Sequence, residues 1–282
     1  MESYKLQVND CQLKIYSVKP EISETAILFL HGGPGSGAKA IMELSAFQTL
    51  SQEFHCIYFD QRGSGLSEYD LRNGLSIETI TNDVLQIVAS IKERWGIQNL
   101  FLWGGSFGGC LASLCLERFA EQFCGVILSS PAITFYREEA LEFYNLMKKP
   151  YTHRFNDSVI KTFKTLDDAT PEEFFSIPQV RQFVYSDLNP SQSLRHICAM
   201  SSWFYQHSFE NMIKNIETPT LIMQGKDDRI CQYQYIDNQI IKYNNPNIEY
   251  YLYDQCGHEV FIDKESEFIY NMEQFIRRVI SC

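Results

Sequence analysis

Residues 99–119, NLFLWGGSFGGCLASLCLERF, constrain this chain more than any other stretch. Residues 100–103 form an apolar run of strand length. Gly104-Gly105-Ser106-Phe107-Gly108-Gly109 is a glycine-rich turn, after which Leu111, Leu114, Cys115 and Phe119 recur at helical spacing. A strand, a sharp turn and a helix therefore meet at one serine. Gly104 to Gly108 fits G-x-S-x-G, the nucleophile elbow. The serine backbone is held strained so that Oγ projects clear of the sheet, and strand and helix approach too closely for side chains two positions away. The turn also aims a helix N-terminus at the serine, which favours a developing oxyanion.

The flanking sequence supplies the rest of a sheet. Residues 4–8 and 12–18 around Asn9-Asp10 predict an antiparallel hairpin. Residues 25–30 (TAILFL), 54–59, 124–128, 220–224 and 248–253 are apolar runs of the kind buried in a parallel sheet. Helical patterns cover 41–50, 76–95, 231–243 and 264–280, with Ser76 or Thr79 as N-cap and Gly96 as the stop of the second. This alternation predicts an α/β fold with a mostly parallel, doubly wound sheet. It breaks after Ser129: residues 131–215 are helical in pattern and rich in Tyr and Phe, an inserted helical cap. The core is then 1–130 and 216–282.

A serine hydroxyl needs a base, and the base an orienting carboxylate, both from loops at the carboxyl ends of strands. In a sheet of this kind the chain order is Ser, acid, His. Gly225-Lys226-Asp227-Asp228-Arg229 follows one late strand, and Asp254-Gln255-Cys256-Gly257-His258-Glu259 follows the next. His258 is the base candidate. Between Asp227 and Asp228, Asp228 is the acid candidate, because the turn must bring the carboxylate round to the imidazole; Asp227 then faces solvent or caps the following helix. The backbone N–H groups of Phe107 and Gly33 are the candidate oxyanion donors. His55, His153, His196 and His207 read as structural or surface histidines. His31 has no second ligand nearby and the loop lacks a Gly-Lys-Ser/Thr ending, so neither a metal nor a cofactor is expected.

A net charge of −11 with no basic stripe excludes a nucleic-acid partner. No run is apolar and long enough to span a membrane, and residues 1–5 lack the apolar core of a signal peptide. The nine cysteines include no C-x-x-C pair and several sit in apolar segments (Cys56, Cys110, Cys115, Cys124), the pattern of buried, reduced thiols in a cytoplasmic protein. The expected partner is a small-molecule or short-peptide substrate, and the expected state a monomer or small homo-oligomer.

His31-Gly32-Gly33-Pro34-Gly35, Asp60-Gln61-Arg62-Gly63-Ser64-Gly65 and the elbow, with Gly225 to Asp228 and Gly257-His258 beyond them, resemble the proline iminopeptidase (prolyl aminopeptidase) branch of the α/β-hydrolases. The resemblance implies a serine hydrolase that releases an N-terminal residue, often proline, from small peptides through an acyl-enzyme. It also implies a cap whose carboxylates hold the substrate ammonium. The sequence departs from the family there. Arg229 stands directly after the acid, where relatives often carry glutamate; Trp203 is followed by Phe204; and Phe107 replaces the usual Trp or Tyr. Glu138, Glu139, Glu142 and Glu210 are the cap carboxylates available to face the site or solvent. Arg229, unless paired with Asp227, suits a carboxylate-bearing substrate. Tyr136, Phe143, Tyr144, Trp203 and Phe204 are candidates for an apolar pocket. The alternative on the same machinery is a carboxylic-ester hydrolase acting on small acyl substrates.

Overall fold

The structure, a computed structural model, describes residues 1–20, 23–152 and 170–281. Eight strands are described: β1 (Glu2–Val8), β2 (Cys11–Val18), β3 (Thr25–Leu30), β4 (His55–Phe59), β5 (Asn99–Gly105), β6 (Gly125–Ser129), β7 (Thr220–Gly225) and β8 (Ile248–Tyr253). They form one sheet in the order β1-β2-β4-β3-β5-β6-β7-β8. β1 and β2 are antiparallel, β2 meets β4 antiparallel, and all pairings from β4 to β8 are parallel. The pairing of Val8 with Cys11 leaves Asn9-Asp10 as the two-residue turn, with Asn9 at φ 50°.

The apolar runs are buried strands because both faces of the sheet are covered. Successive residues point to opposite faces. Leu28, Leu102, Leu128 and Ile222 pack with Val84, Ile87 and Leu114 of the helices Ile77–Trp95 and Phe107–Phe119. Ile27, Phe29, Trp103 and Met223 face the other way, against Phe47, Phe268 and Phe275 of the helices Ser45–Leu50 and Glu265–Ser281. The helix Ile77–Trp95 starts where the Ser76 side chain accepts from Thr79 N–H and stops at Gly96, which is left-handed at φ 64°.

Three helices and one cysteine differ from the sequence reading in ways that bear on the site or the core. The single helix expected over 41–50 is two, Lys39–Met42 and Ser45–Leu50, because Leu44 is extended (φ −79°, ψ 146°). The break lets Ile41 reach a cavity described below while Phe47 packs on Phe29 and Trp103 in the core. The helix expected from 231 begins at Tyr233, because Asp228 Oδ1 accepts from the backbone N–H groups of Ile230 and Cys231 and holds them in a loop. Val260–Asp263 is a separate turn of helix before Glu265–Ser281. Cys124 is half-exposed rather than buried, next to the start of β6.

Between β6 and β7 the described elements are all helical: Arg137–Thr152, Pro171–Ser176, Pro178–Val184, Gln192–Ala199 and Met212–Asn215. Their apolar side chains, Phe143, Val180 and Ile197 among them, join the cluster on one face of the sheet, so cap and core share a continuous apolar interior. Residues 131–135 remain tied to the core, with Ala132 N–H donating to Ser106 O at 2.9 Å. Among the described residues no helix is long and apolar enough to cross a membrane.

Candidate active site

β5 ends at Gly105, and the next helix begins at Phe107. Ser106 between them is held at φ 52°, ψ −121°, a conformation side chains rarely adopt. Its backbone is fastened on both sides: Ser106 N–H donates to Ser129 O at 3.0 Å, and Ser106 O accepts from Gly109, Cys110 and Ala132. Gly108 has to lack a side chain, since a Cβ there would lie 1.9 Å from Leu30 O. Phe107, first in its helix, has no carbonyl four residues back within that helix for its N–H.

Asp228 is buried and His258 half-buried, with His258 Nδ1 2.8 Å from Asp228 Oδ2. Gln224 Nε2 donates to the same oxygen at 3.1 Å, and the N–H groups of Ile230 and Cys231 donate to Oδ1 at 2.8 and 3.0 Å. Four donors thus converge on one carboxylate and leave it a single orientation. Asp227 is exposed. The two loops are also joined through backbone, Lys226 N–H to Tyr253 O at 3.0 Å and Asp227 N–H to Cys256 O at 2.8 Å.

Ser106, Phe107, Gly33 and His258 stand in the wall of one cavity of about 250 Å³. Ile41, Trp103, Phe143, Ile197, Phe204 and Phe261 make most of its remaining surface apolar. The cap contributes Phe143, Ile197 and Phe204 to this wall, so it roofs the cavity.

The glycine-rich loop after β3 is set by His31. This buried ring donates from Nδ1 to Gly32 O at 3.0 Å and accepts Gln61 N–H at Nε2 at 3.1 Å. Burial pushes its pKa down from the usual 6.5 to about 4, so it is neutral, and both ring nitrogens are spent on anchoring the loop. His55 is likewise pushed down by burial to about 4. Between those values the unfolded chain binds the proton and the folded chain does not. Stability is therefore expected to fall as pH falls from about 6.5 to about 4. A Tm that stays flat across that window would show these histidines titrating normally.

The Asp60–Gly65 segment is scaffold. Asp60 accepts from Ala38 N–H, Leu66 N–H and Tyr16 OH, and buried Arg62 pairs with Asp83 and Asp10. Among the described residues one cluster carries three metal-ligating side chains, Asp228, Cys231 and His258, with ligand atoms within 4.8 Å of one another. Asp228 and His258 already bond each other there, and burial raises the Cys231 thiol well above its ordinary value, so a cation would have to displace that hydrogen bond and a thiol proton.

Of the substrate-binding and pocket candidates from the cap and the acid loop, the structure brings Phe143 and Phe204 to the cavity. Trp203 is buried elsewhere, its indole N–H donating to Leu75 O at 2.6 Å. Glu142 accepts from Tyr235 OH at 2.7 Å and Gln232 Nε2 at 3.1 Å, bonds that hold its carboxyl below the usual range. Glu139 caps its own helix through the N–H groups of Phe135 and Tyr136. Glu138, Glu210 and Arg229 are exposed and absent from the wall, and Arg229 forms no ion pair with Asp227 among the described residues. Tyr136 is exposed, and Tyr144 packs on Phe174 and Tyr205 inside the cap. His153 lies outside the described residues. Among the described residues the one carboxylate residue in the cavity wall is Glu259, exposed at the rim, which the sequence reading passed over. Its position next to His258 was the available signal: whatever brings an imidazole to a site brings its chain neighbours to the rim.

Residues 22–265 match the sequence profile of the family described as serine aminopeptidase, S33. The proline iminopeptidase of Thermoplasma volcanium is 23% identical over 283 residues, spanning 93% of this chain and 92% of its own. That of Saccharolobus solfataricus is 22% identical over 294 residues, with 95% and 89% covered. Among solved structures, an esterase from Exiguobacterium antarcticum superposes with a TM-score of 0.71 at 20% identity, covering 98% of this chain and 100% of that one. A proline iminopeptidase-related protein from Thermus thermophilus gives 0.69 at 20% identity, covering 99% and 98%. At such identities the structural likenesses carry the fold alone.

Proposed function

The chain belongs to the serine aminopeptidase S33 family of α/β-hydrolases, and from that membership we propose a proline iminopeptidase-like aminopeptidase working through Ser106, His258 and Asp228. The observation that carries the reading is the His258–Asp228 pair, bonded at 2.8 Å, in a site whose imidazole shares one cavity with a strained serine. His258 takes the proton from Ser106 Oγ as Oγ attacks the substrate carbonyl. Asp228 holds the Nδ1–H tautomer and stabilises the imidazolium. The N–H groups of Phe107 and Gly33 receive the oxyanion, assisted by the helix N-terminus at Phe107. His258 then protonates the leaving amine, the acyl-enzyme forms, and water repeats the sequence in reverse roles. The eight described cysteines are unpaired, which fits a reducing cytoplasm.

The charge in the cavity favours a free amine on the substrate. Among the described residues its wall contains one carboxylate residue, Glu259, and neither Lys nor Arg. Glu259 is exposed, so it offers a substrate ammonium a partner at the rim of the cavity, whereas a carboxylate-bearing substrate, the option opened by Arg229, meets a like charge there. Glu259→Gln is expected to raise KM for a prolyl arylamide ~10–100-fold, since a charge-assisted hydrogen bond contributes ~1.5–3 kcal/mol. An unchanged KM would place the amine elsewhere. The apolar walls and modest volume also suit small acyl esters, which keeps the esterase reading. The wild-type protein on a prolyl arylamide and on a p-nitrophenyl acyl ester decides between them: ester turnover without arylamide cleavage removes the peptidase reading.

A further inference from the structure

The cap helix Gln192–Ala199 does more than roof the cavity. Ser193 Oγ donates to Gly33 O at 3.3 Å, a bond from the cap to the loop that carries the proposed oxyanion donor. Three residues along the same helix, His196 is buried with its ring close against Gly35: a Cβ on Gly35 would lie 2.7 Å from His196 Nδ1. The same ring reaches the neighbouring loop, with Nε2 2.9 Å from Arg62 O and 3.2 Å from Ser64 Oγ, while Nδ1 faces Gln192 O at 2.8 Å. Gln192 Nε2 adds a bond to Gly63 O at 3.0 Å. The loop of residues 32–36 is thus gripped from beneath by His31 and from above by this helix. Ser193 and His196 do not line the cavity, so they are placed to act on its wall and not on the substrate.

We infer that Ser193 and His196 are positioning residues for the oxyanion loop, so that seating the cap helix and setting the Gly33 N–H are one event. The inference rests on the reading of Gly33 as an oxyanion donor. A donor that must sit within a few tenths of an ångström of a developing charge gains from being held, because reorganisation at the moment of reaction is what a prearranged donor avoids. Residues serving only to pack the cap would affect ground state and transition state alike.

The test uses Ser193, which is half-exposed and whose hydroxyl makes that one bond among the described residues, so its loss leaves the fold intact. Ser193→Ala is expected to lower kcat ~10-fold with KM within two-fold, a fraction of the ~10²–10³ that removal of a whole oxyanion donor costs. A boronic acid inhibitor, whose adduct with the nucleophile is tetrahedral and carries the oxyanion, should weaken by the same factor. Ser193→Thr, which keeps the hydroxyl, should restore both. Gln192→Ala, on the same helix but bonded to Gly63, should leave kcat as in wild type. An unchanged kcat in Ser193→Ala, or a rise in KM with boronate affinity unaltered, overturns the inference. Ser106→Ala separates the two levels. If it still turns substrate over, the catalytic reading fails and this inference with it; if it is inactive while Ser193→Ala is normal, only the clamp is refuted.

Discussion

Replacing Ser106 by alanine is expected to lower kcat/KM by on the order of 10⁴-fold or more, the scale seen when a serine nucleophile is removed. Replacing it by glycine should do the same and also raise Tm. The reasoning separates the hydroxyl from the backbone. Ser106 sits at φ 52°, ψ −121°, and its backbone bonds to Ser129, Gly109, Cys110 and Ala132 hold it there. Such conformations cost ~1–3 kcal/mol in a residue with a Cβ. Alanine keeps the Cβ and so the strain, and its Tm should match wild type. Glycine relieves the strain and gives back ~0.5–1 kcal/mol through its freer unfolded chain. A net gain of ~1 kcal/mol corresponds to a rise of roughly 2–4 °C in Tm for a chain of this size. Calorimetry beside an activity assay reads both quantities. Residual turnover in either variant would remove Ser106 from the chemistry, and a lower Tm in the glycine variant would remove the strain.

Asp228→Asn is expected to lower kcat by ~10⁴-fold with little change in KM, the size of effect that follows from trapping the wrong imidazole tautomer. The hydrogen bonds around Asp228 dictate how the amide must lie. Oδ1 accepts from two backbone N–H groups, Ile230 and Cys231, which cannot turn away, so the amide oxygen takes that side. The amide NH₂ then faces His258 Nδ1 and Gln224 Nε2, where the carboxylate had accepted. His258 must offer Nδ1 as acceptor and carry its proton on Nε2, the atom needed to receive the serine proton. Gln224 meets a donor with its own donor, so its amide has to turn over, at the cost of its bonds to Gly225 O and Cys231 O, or move away. Asp227→Asn, on an exposed residue, should leave kcat unaltered. A fully active Asp228→Asn enzyme would show that the acid lies elsewhere.

The strands were legible because burial on both faces leaves a mark in composition: TAILFL or TLIMQ has no solvent side to vary. The elbow was legible because close approach excludes all but glycine at Gly108, whose missing side chain leaves room for Leu30 O. What could not be read were decisions made by contacts distant in sequence. The break at Leu44 follows from where Ile41 and Phe47 pack, and the delayed start of the helix at Tyr233 from the bonds to Asp228. The cap carboxylates illustrate the same limit at the site. Charge is visible in a sequence, but which way a helix turns it is not. Glu142 is held by Tyr235, ninety-three positions on, and Glu139 by its own helix terminus. Glu259 entered the cavity from the core, where the family resemblance directs attention to the cap.

The placement of the cap between β6 and β7 has a consequence for the newly made chain. Position 106 and the glycine-rich loop are encoded before it, Asp228 and His258 after it, and the two portions meet in the sheet along the pairing of Val126 to Ser129 with Thr220 to Met223. On the proposed reading, a partly synthesised molecule holds the nucleophilic hydroxyl with no base until residues 226–282 have been made and that seam has zipped.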